Sequence, residues 1–200
     1  MKKNKTSKNW VSKQKRDIYV RRSKLEGYRS RAIYKLKEID DKFNIIQNGI
    51  NIVDLGSAPG SWSQYLSKKS RNSKILSIDL KDIKKINNIH HLVGDFLNEK
   101  NQSIIKKFFK DKLDLVVSDM AVNTTGNKNL DSISTGELSI NAMNFSINNL
   151  KKNGCFVTKI FMGSTFNEIV ENGKKNFKEV KIFKPLSSRK DSRENFIICK

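Results

Sequence analysis

The sequence predicts an α/β fold: a seven-stranded, mostly parallel sheet with one antiparallel strand and helices on both faces. Two observations predict it. The first is the run Ile52-Val53-Asp54-Leu55-Gly56-Ser57-Ala58-Pro59-Gly60-Ser61-Trp62, where short apolar residues lead into an acid, a glycine-bounded loop and the polar start of a helical pattern. Such a run is a buried strand ending in a tight loop at the carboxyl edge of a sheet, where α/β folds place their ligands. The second is that successive strand-like runs end in Asp54, Asp79, Asp95 and Asp119. A strand end needs some polar residue, but that need does not favour Asp over Ser or Asn, so the repetition points to one shared edge that faces a ligand.

The elements follow in chain order. Tyr28 to Phe43 reads as a helix whose apolar stripe is Ala32, Ile33, Leu36 and Ile39, with Lys35 beside the stripe. After the first strand and its loop, Ser61–Lys69 is a short helix and Lys74–Leu80 a second strand. His91–Phe96 is a third strand, Asn101–Lys110 a helix and Leu113–Asp119 a fourth strand. Met120–Asp131 reads as a polar loop and Ser134–Leu150 as a long helix that Asn153-Gly154 would cap. Cys155–Phe161 is a fifth strand, buried on both faces by its composition but interrupted by Lys159. A buried amine is costly without partners or a role, which singles this residue out. Thr165–Gly173 is a helix, and Val180–Phe183 and Phe196–Cys199 are the last strands. The link between those two is too brief for a crossover helix, so they pair antiparallel.

Composition bounds the rest. Two hundred residues make one domain with room for a full sheet. Forty Lys and Arg against twenty Asp and Glu give a net charge of +20, which implies a polyanionic partner, with nucleic acid favoured. Lys, Asn and Ile are abundant and Ala occurs only four times, so part of that excess is compositional. Residues 1–24 carry ten Lys and Arg against the single acid Asp17, with Trp10 and Tyr19 among them. They are expected to be an RNA-binding arm on a domain formed by residues 25–200, since basic residues pair phosphates and aromatics stack on unpaired bases. If the arm does not capture RNA, the folded face around Arg29, Arg31, Arg189 and Arg193 is expected to do so. Cys155 and Cys199 read as core residues in a reducing compartment, and the adjacent His90 and His91 would point to opposite faces of a strand. No metal site, membrane span or signal sequence is expected, and the location expected is cytoplasmic, as a monomer.

The loop after the first strand limits the ligand. A dinucleotide fingerprint needs glycine at position 58, where this chain has Ala58. An acid just before the loop would repel a phosphate and suits a ligand carrying hydroxyls, an amine or a positive centre. Gly56 and Gly60 allow a close backbone approach, and Pro59 stiffens the turn between them. Asp79, 23 residues beyond Gly56, is placed to take a ribose diol, and Asp95 could accept from an adenine amine. Asp54-Leu-Gly-Ser-Ala-Pro-Gly-Ser-Trp62 resembles the first motif of Rossmann-like methyltransferases, with Ser61 where that motif has a second glycine. The resemblance implies S-adenosylmethionine (SAM) as cofactor, held by Asp54, Gly56, Pro59, Gly60, Trp62, Asp79, Asp95 and Asp119.

The chain from about Ser23 onward is similar to the FtsJ-type ribosomal RNA ribose 2′-O-methyltransferases. The similarity lies in Ser30–Leu36, Asp54–Trp62, Gly94–Phe96, Ser118–Ala121, Thr158–Phe161, Ser187–Arg189 and Ser192–Glu194. It implies a catalytic tetrad of Lys35, Asp119, Lys159 and Glu194, with Lys159 as general base, SAM as methyl donor and the A-loop uridine of large-subunit ribosomal RNA as substrate. Val122 stands where that family has proline, and Met162 where it has glutamine. A SAM enzyme acting on a base would need a motif such as Asn-Pro-Pro-Tyr after strand four, which Asp119-Met-Ala-Val is not. A non-catalytic RNA-binding protein on the same fold is the other alternative, and the intact tetrad argues against it.

Overall fold

The computed structural model describes residue 14, residues 16–122 and residues 128–200. In chain order the described elements are α1 (Ile18–Leu25), α2 (Ile33–Phe43), β1 (Asn51–Leu55), α3 (Ser61–Lys69), β2 (Lys74–Asp79), β3 (Ile89–Val93), α4 (Glu99–Phe109) and β4 (Leu113–Ser118). After them come α5 (Lys128–Asn149), β5 (Leu150–Phe161), α6 (Phe166–Asn176), β6 (Val180–Phe183) and β7 (Glu194–Cys199). The strands form one seven-stranded sheet in the order β3-β2-β1-β4-β5-β7-β6. β1 pairs parallel with β2 and β4, whereas β7 runs antiparallel to both β5 and β6 and is the one reversed strand. The strand order reverses between β1 and β4, so the crevice outside their carboxyl ends is where an open α/β sheet takes a ligand.

Alternation along each strand divides the core in two. Ile52, Leu115, Val117, Val157, Phe196 and Ile198 pack under α2 and α3, with Ile33, Leu36, Ile39, Trp62 and Leu66. Val53, Val116, Phe156, Ile160 and Ile197 face the other way, against Ile105 and Phe109 of α4, Met143 and Phe145 of α5 and Ile169 of α6. Successive Cβ atoms in a strand point to opposite faces, so a strand apolar at every position must be covered on both. His90 and His91 show the same alternation. His90 stacks on Phe108 while His91 Nδ1 lies 2.9 Å from the Ser77 hydroxyl. Cys155 and Cys199 are buried free thiols, both pushed up to about 12 first by burial.

Several expected boundaries move. The helix expected from Tyr28 starts at Ile33, because residues 28–30 are irregular and 31–32 form a turn. Tyr28 closes α1 with its amide on the Ser23 carbonyl, 2.8 Å away. β3 ends at Val93, so Gly94, Asp95 and Phe96 lie in the loop beyond it. The expected cap at Asn153-Gly154 is not one. α5 ends at Asn149 and β5 begins at Leu150, and Lys151–Gly154 bulge where five positions of β5 span two of β4. Of the expected loop from Met120 to Asp131, residues 123–127 lie outside the described residues, and α5 has begun by Lys128.

The expected arm also divides. Residues 1–13 and 15 lie outside the described residues, but Asp17 caps α1 by accepting from the amides of Tyr19 (3.0 Å) and Val20 (3.4 Å). Tyr19 packs against Tyr34 with ring centroids 5.3 Å apart, so α1 is docked on α2. The domain therefore includes residues 17–24.

Asp54 departs from its expected role. It precedes the last residue of β1, and its side chain turns under α3, where it is 1% exposed and accepts a 2.6 Å hydrogen bond from the Ser63 hydroxyl. Burial pushes its carboxyl up to about 7, against the Ser63 hydrogen bond and with the charges of Asp119 and Asp79 adding to the rise. An unfolded Asp ionises near about 3.9. Between those values the folded chain holds a proton that the unfolded chain has lost, so this group makes stability fall as pH rises. Asp54→Asn should therefore gain in Tm relative to the parent protein as pH rises from about 4 to about 7. A Tm difference that stays constant across that window would remove the titration from Asp54.

Candidate active site

The carboxyl ends of the strands open on a cleft of about 510 Å³. It is lined by Gly56, Ala58, Ile78, Asp79, Leu80, Lys81, Gly94, Asp95, Phe96, Leu97, Asp119, Met120, Ala121, Val122 and Leu138. In a chain of net charge +20 this lining carries three carboxylates and one lysine. The cleft therefore disfavours a phosphate and favours a ligand with a positive centre. Gly56, at φ +74, is fixed from both sides, because a Cβ there would also overlap Met120 Cγ in the loop after β4. Gly60, at φ +103, begins α3, and a Cβ on it would overlap Arg29 Nη1.

Arg29 closes the loop from outside. Its guanidinium donates to the carbonyls of Pro59 (3.0 Å), Lys84 (2.7 Å) and Lys85 (3.3 Å), which joins the glycine loop to the loop after β2. Asp79 closes it from inside, one carboxylate oxygen accepting from the Ala58 amide and the other from Lys81, both at 2.9 Å. Asp95 accepts from the Leu97 amide at 2.9 Å and is exposed at the cleft rim. Of the residues expected to hold a cofactor, the structure brings Gly56, Asp79, Asp95 and Asp119 to the cleft. Asp54, Pro59, Gly60 and Trp62 do not line it. The Trp62 indole is buried against Phe196, ring centroids 5.9 Å apart, and donates to the Ala32 carbonyl at 2.7 Å. It anchors α3 to α2 and shapes the loop indirectly.

Beside the cleft four ionisable residues from four elements meet. Asp119 follows β4, Lys159 lies on β5, Glu194 opens β7, and Lys35 reaches in from α2. Lys159 and Phe196 are register partners, as are Phe161 and Glu194, so β5 and β7 present Lys159 and Glu194 at one edge. Lys159 Nζ lies 3.1 Å from Asp119 Oδ1 and donates to the Asp119 carbonyl at 2.8 Å. Lys35 Nζ donates to Glu194 Oε2 at 2.7 Å and lies 3.5 Å from Asp119 Oδ2. Lys159 is 6% and Glu194 9% exposed, so these charges are largely removed from water. Burial works to lower the Lys35 ammonium's pKa, but the Asp119 and Glu194 carboxylates outweigh it and the net shift is upward. Burial works to raise Asp119, yet the charges of Lys159 and Lys35 hold its carboxyl below the usual carboxylate range. Asp119 and Lys35 are thus held ionised, and Lys159, more buried than Asp119, lies behind it from the cleft that Asp119 lines.

Sequence reasoning missed the residues that hold this group together. Glu194 Oε1 accepts from the Ser188 hydroxyl at 2.8 Å, and Glu38 accepts from the backbone amides of Leu186 and Ser187. The one signal was the spacing of Lys35 and Glu38, which share a face of α2. Arg31 is also not free for RNA: it binds Asp17 and the Ser187 carbonyl. The departures fall at the edge, with Val122 half-buried in the cleft lining and Met162 exposed, its amide donating to the Arg193 carbonyl at 3.1 Å. Among the described residues, no three or more His, Cys, Asp or Glu are grouped to hold a metal, and no helix is long and apolar enough to cross a membrane.

Comparison with known proteins agrees with this geometry. The chain is 61% identical over 200 residues to a ribosomal RNA large subunit methyltransferase E of Pelagibacter ubique (strain HTCC1062), covering 100% of this chain and 98% of that one. It is 44% identical to the protein of the same name from Rickettsia akari (strain Hartford), over 97% of this chain and 88% of the relative. The crystal structure of a protein described as a ribosomal RNA methyltransferase from Plasmodium falciparum superposes with a TM-score of 0.78 at 31% identity, covering 86% of this chain and 97% of that one. The model of the FtsJ-like methyltransferases matches residues 28–200, which take in the glycine loop, the carboxylate-lined cleft and all four residues of the buried cluster. The chain belongs to the FtsJ-like methyltransferase family.

Proposed function

We propose that this protein transfers a methyl group from SAM to a ribose 2′-hydroxyl of large-subunit ribosomal RNA, at the A-loop uridine, with Lys159 as general base. The observation that carries the reading is the buried Lys35, Asp119, Lys159 and Glu194 cluster opening beside a cleft lined by carboxylates. The relatives named as ribosomal RNA large subunit methyltransferase E support the RNA class, and a net charge of +20 suits a polyanionic substrate.

The residues present fit the cofactor. A cleft of about 510 Å³ is within the range of small-molecule sites, and its excess of carboxylates complements a sulfonium. Asp79, whose oxygens each accept one backbone amide and retain capacity for a second donor, would hold the ribose hydroxyls, with Asp95 toward the adenine amine. When bound there, SAM supplies a methyl group activated by a positive sulfur.

The remaining chemistry belongs to the tetrad. A ribose hydroxyl is a poor nucleophile until its proton leaves; the Lys159 ammonium first gives up a proton to solvent, and its neutral Nζ then accepts the hydroxyl proton as the methyl is transferred, which restores the ammonium. Asp119 fixes the amine by the side-chain contact and by its own carbonyl, so Nζ has two fixed partners. Lys35 bridges Asp119 and Glu194 and, with Lys159, balances their two charges, which lets those carboxylates persist in a largely buried site. A positioned base contributes about 10²–10⁴ in rate. Alignment of hydroxyl and methyl supplies much of the remainder.

Lys159→Ala is expected to abolish methyl transfer to ribosomal RNA while SAM affinity, read by calorimetry, stays within a few-fold. Parallel loss of binding and activity would make Lys159 a structural or cofactor residue. Asp79→Ala should do the reverse and weaken SAM binding by about 1.5–3 kcal/mol, roughly 10- to 150-fold; unchanged affinity would take the ribose away from Asp79. Because Asp17 and α1 belong to the folded domain, the basic arm is tested by removing residues 1–13, which carry five lysines and no acid. That deletion should leave SAM affinity unchanged and weaken RNA binding. It should also flatten the salt dependence of RNA binding by about 0.7–0.9 in log–log slope for each phosphate that the arm had neutralised. An unchanged salt slope would place RNA capture wholly on the folded face.

A further inference from the structure

We propose that Ser188 is a positioning residue for Glu194, and that α2 holds the loop carrying Ser188, so that one helix face aligns both ends of the tetrad. The inference rests on the reading of Glu194 as part of that tetrad.

The Glu194 carboxylate is pinned at both oxygens. Oε2 accepts from Lys35 Nζ at 2.7 Å and Oε1 from the Ser188 hydroxyl at 2.8 Å. Ser188 is as buried as Glu194, so water cannot readily replace its hydroxyl. The terminal torsion of a glutamate has no sharp preferred angle, and a carboxylate held at one oxygen can turn about it. With only Lys35 attached, that turn would let Nζ drift between Glu194 and Asp119, which lies 3.5 Å from it.

The loop between β6 and β7 cannot place Ser188 by itself, because it is irregular and its own backbone supplies few bonds. α2 supplies the missing constraint. Glu38, one turn after Lys35, accepts from the amides of Leu186 and Ser187, and Arg31, in the turn just before α2, donates to the Ser187 carbonyl. Asp17 takes the other end of Arg31 and lies 3.7 Å from Arg189 Nε, which ties the cap of α1 to the same loop. Lys35 and Glu38 share one face of α2 by their spacing, and Arg31 lies in the turn that leads into it. The helix that delivers Lys35 to the tetrad thus also fixes the backbone that leads into Ser188. Ser187 is the natural contrast, since its hydroxyl is buried with no hydrogen-bond partner among the described residues.

The test compares Ser188→Ala, Ser188→Thr and Ser187→Ala in the full chain. It measures kcat, KM for RNA, SAM affinity, Tm and the ¹³C signal of the Glu194 carboxyl. Ser188→Ala should lower kcat about tenfold or more, as expected for losing a hydrogen bond to a charged group, with KM and SAM affinity little changed. Its Glu194 carboxyl signal should shift. Ser188→Thr should restore kcat because the hydroxyl is kept, and Ser187→Ala should match the parent protein. An unshifted Glu194 signal with unchanged kcat in Ser188→Ala overturns the inference. So does a loss of kcat that follows a drop in Tm and is not restored by Thr, because Ser188 would then be packing alone. If the Glu194 signal shifts while kcat does not, Ser188 does position Glu194 and it is Glu194's place in the tetrad that falls.

Discussion

Two lysines and two carboxylates are buried together at the carboxyl edge of the sheet, and each is tolerable there only because of the others. Removing one partner from such a group leaves an uncompensated charge that costs about 3–5 kcal/mol. The cluster sums to zero formal charge, with Asp119 between Lys35 and Lys159 and Glu194 on the far side of Lys35. That requirement ties together α2, the end of β4, β5 and the start of β7, which are distant in sequence. It also gives the reversal of β7 a consequence: an antiparallel strand beside β5 begins where β5 ends, so Glu194 meets the carboxyl edge.

The acids of this edge are not equivalent, and their positions along the strands decide what they do. Asp79 closes β2 and Asp119 follows β4, so both face the cleft. Asp54 lies inside β1 on the same sheet face, two register positions short of Asp79 and Asp119, where α3 covers it. Its carboxyl is then a buried group raised to about 7, whereas Asp119, which burial also works to raise, is held low by two ammonium groups. Burial alone and burial with paired charge give opposite outcomes from the same residue type.

The basic residues divide in the same way. A net charge of +20 invites the view that every arginine serves a polyanion. Yet Arg29 binds three backbone carbonyls around the glycine loop, and Arg31 joins Asp17 to the Ser187 carbonyl. A guanidinium offers five donors in a rigid fork, which suits it to clip loops that have no ladder of their own. α2 and its flanking arginines are thus the frame of the site, and the helix α1 belongs to that frame.

The sequence alone determined the strands, because buried parallel strands must be apolar on both faces and their ends must be polar. It determined Gly56 and Gly60, whose backbone angles other residues resist, and it marked Lys159 as an amine that an apolar strand would not carry without cause. Lys35 and Glu194 were legible only through family resemblance, since a lysine beside a helical stripe and a glutamate in a loop mean little by spacing. Tertiary structure alone decided that Asp54 is covered and Asp79 is not: both lie on the sheet face under α2 and α3, but Asp54 pairs with Ser77, two positions short of Asp79, and α3 closes over it there. It alone decided that Ser188 meets Glu194 and that Glu38 holds the loop between β6 and β7. Such contacts join segments with no periodicity in common, and a hydrogen bond between them depends on positions that only the packed sheet fixes.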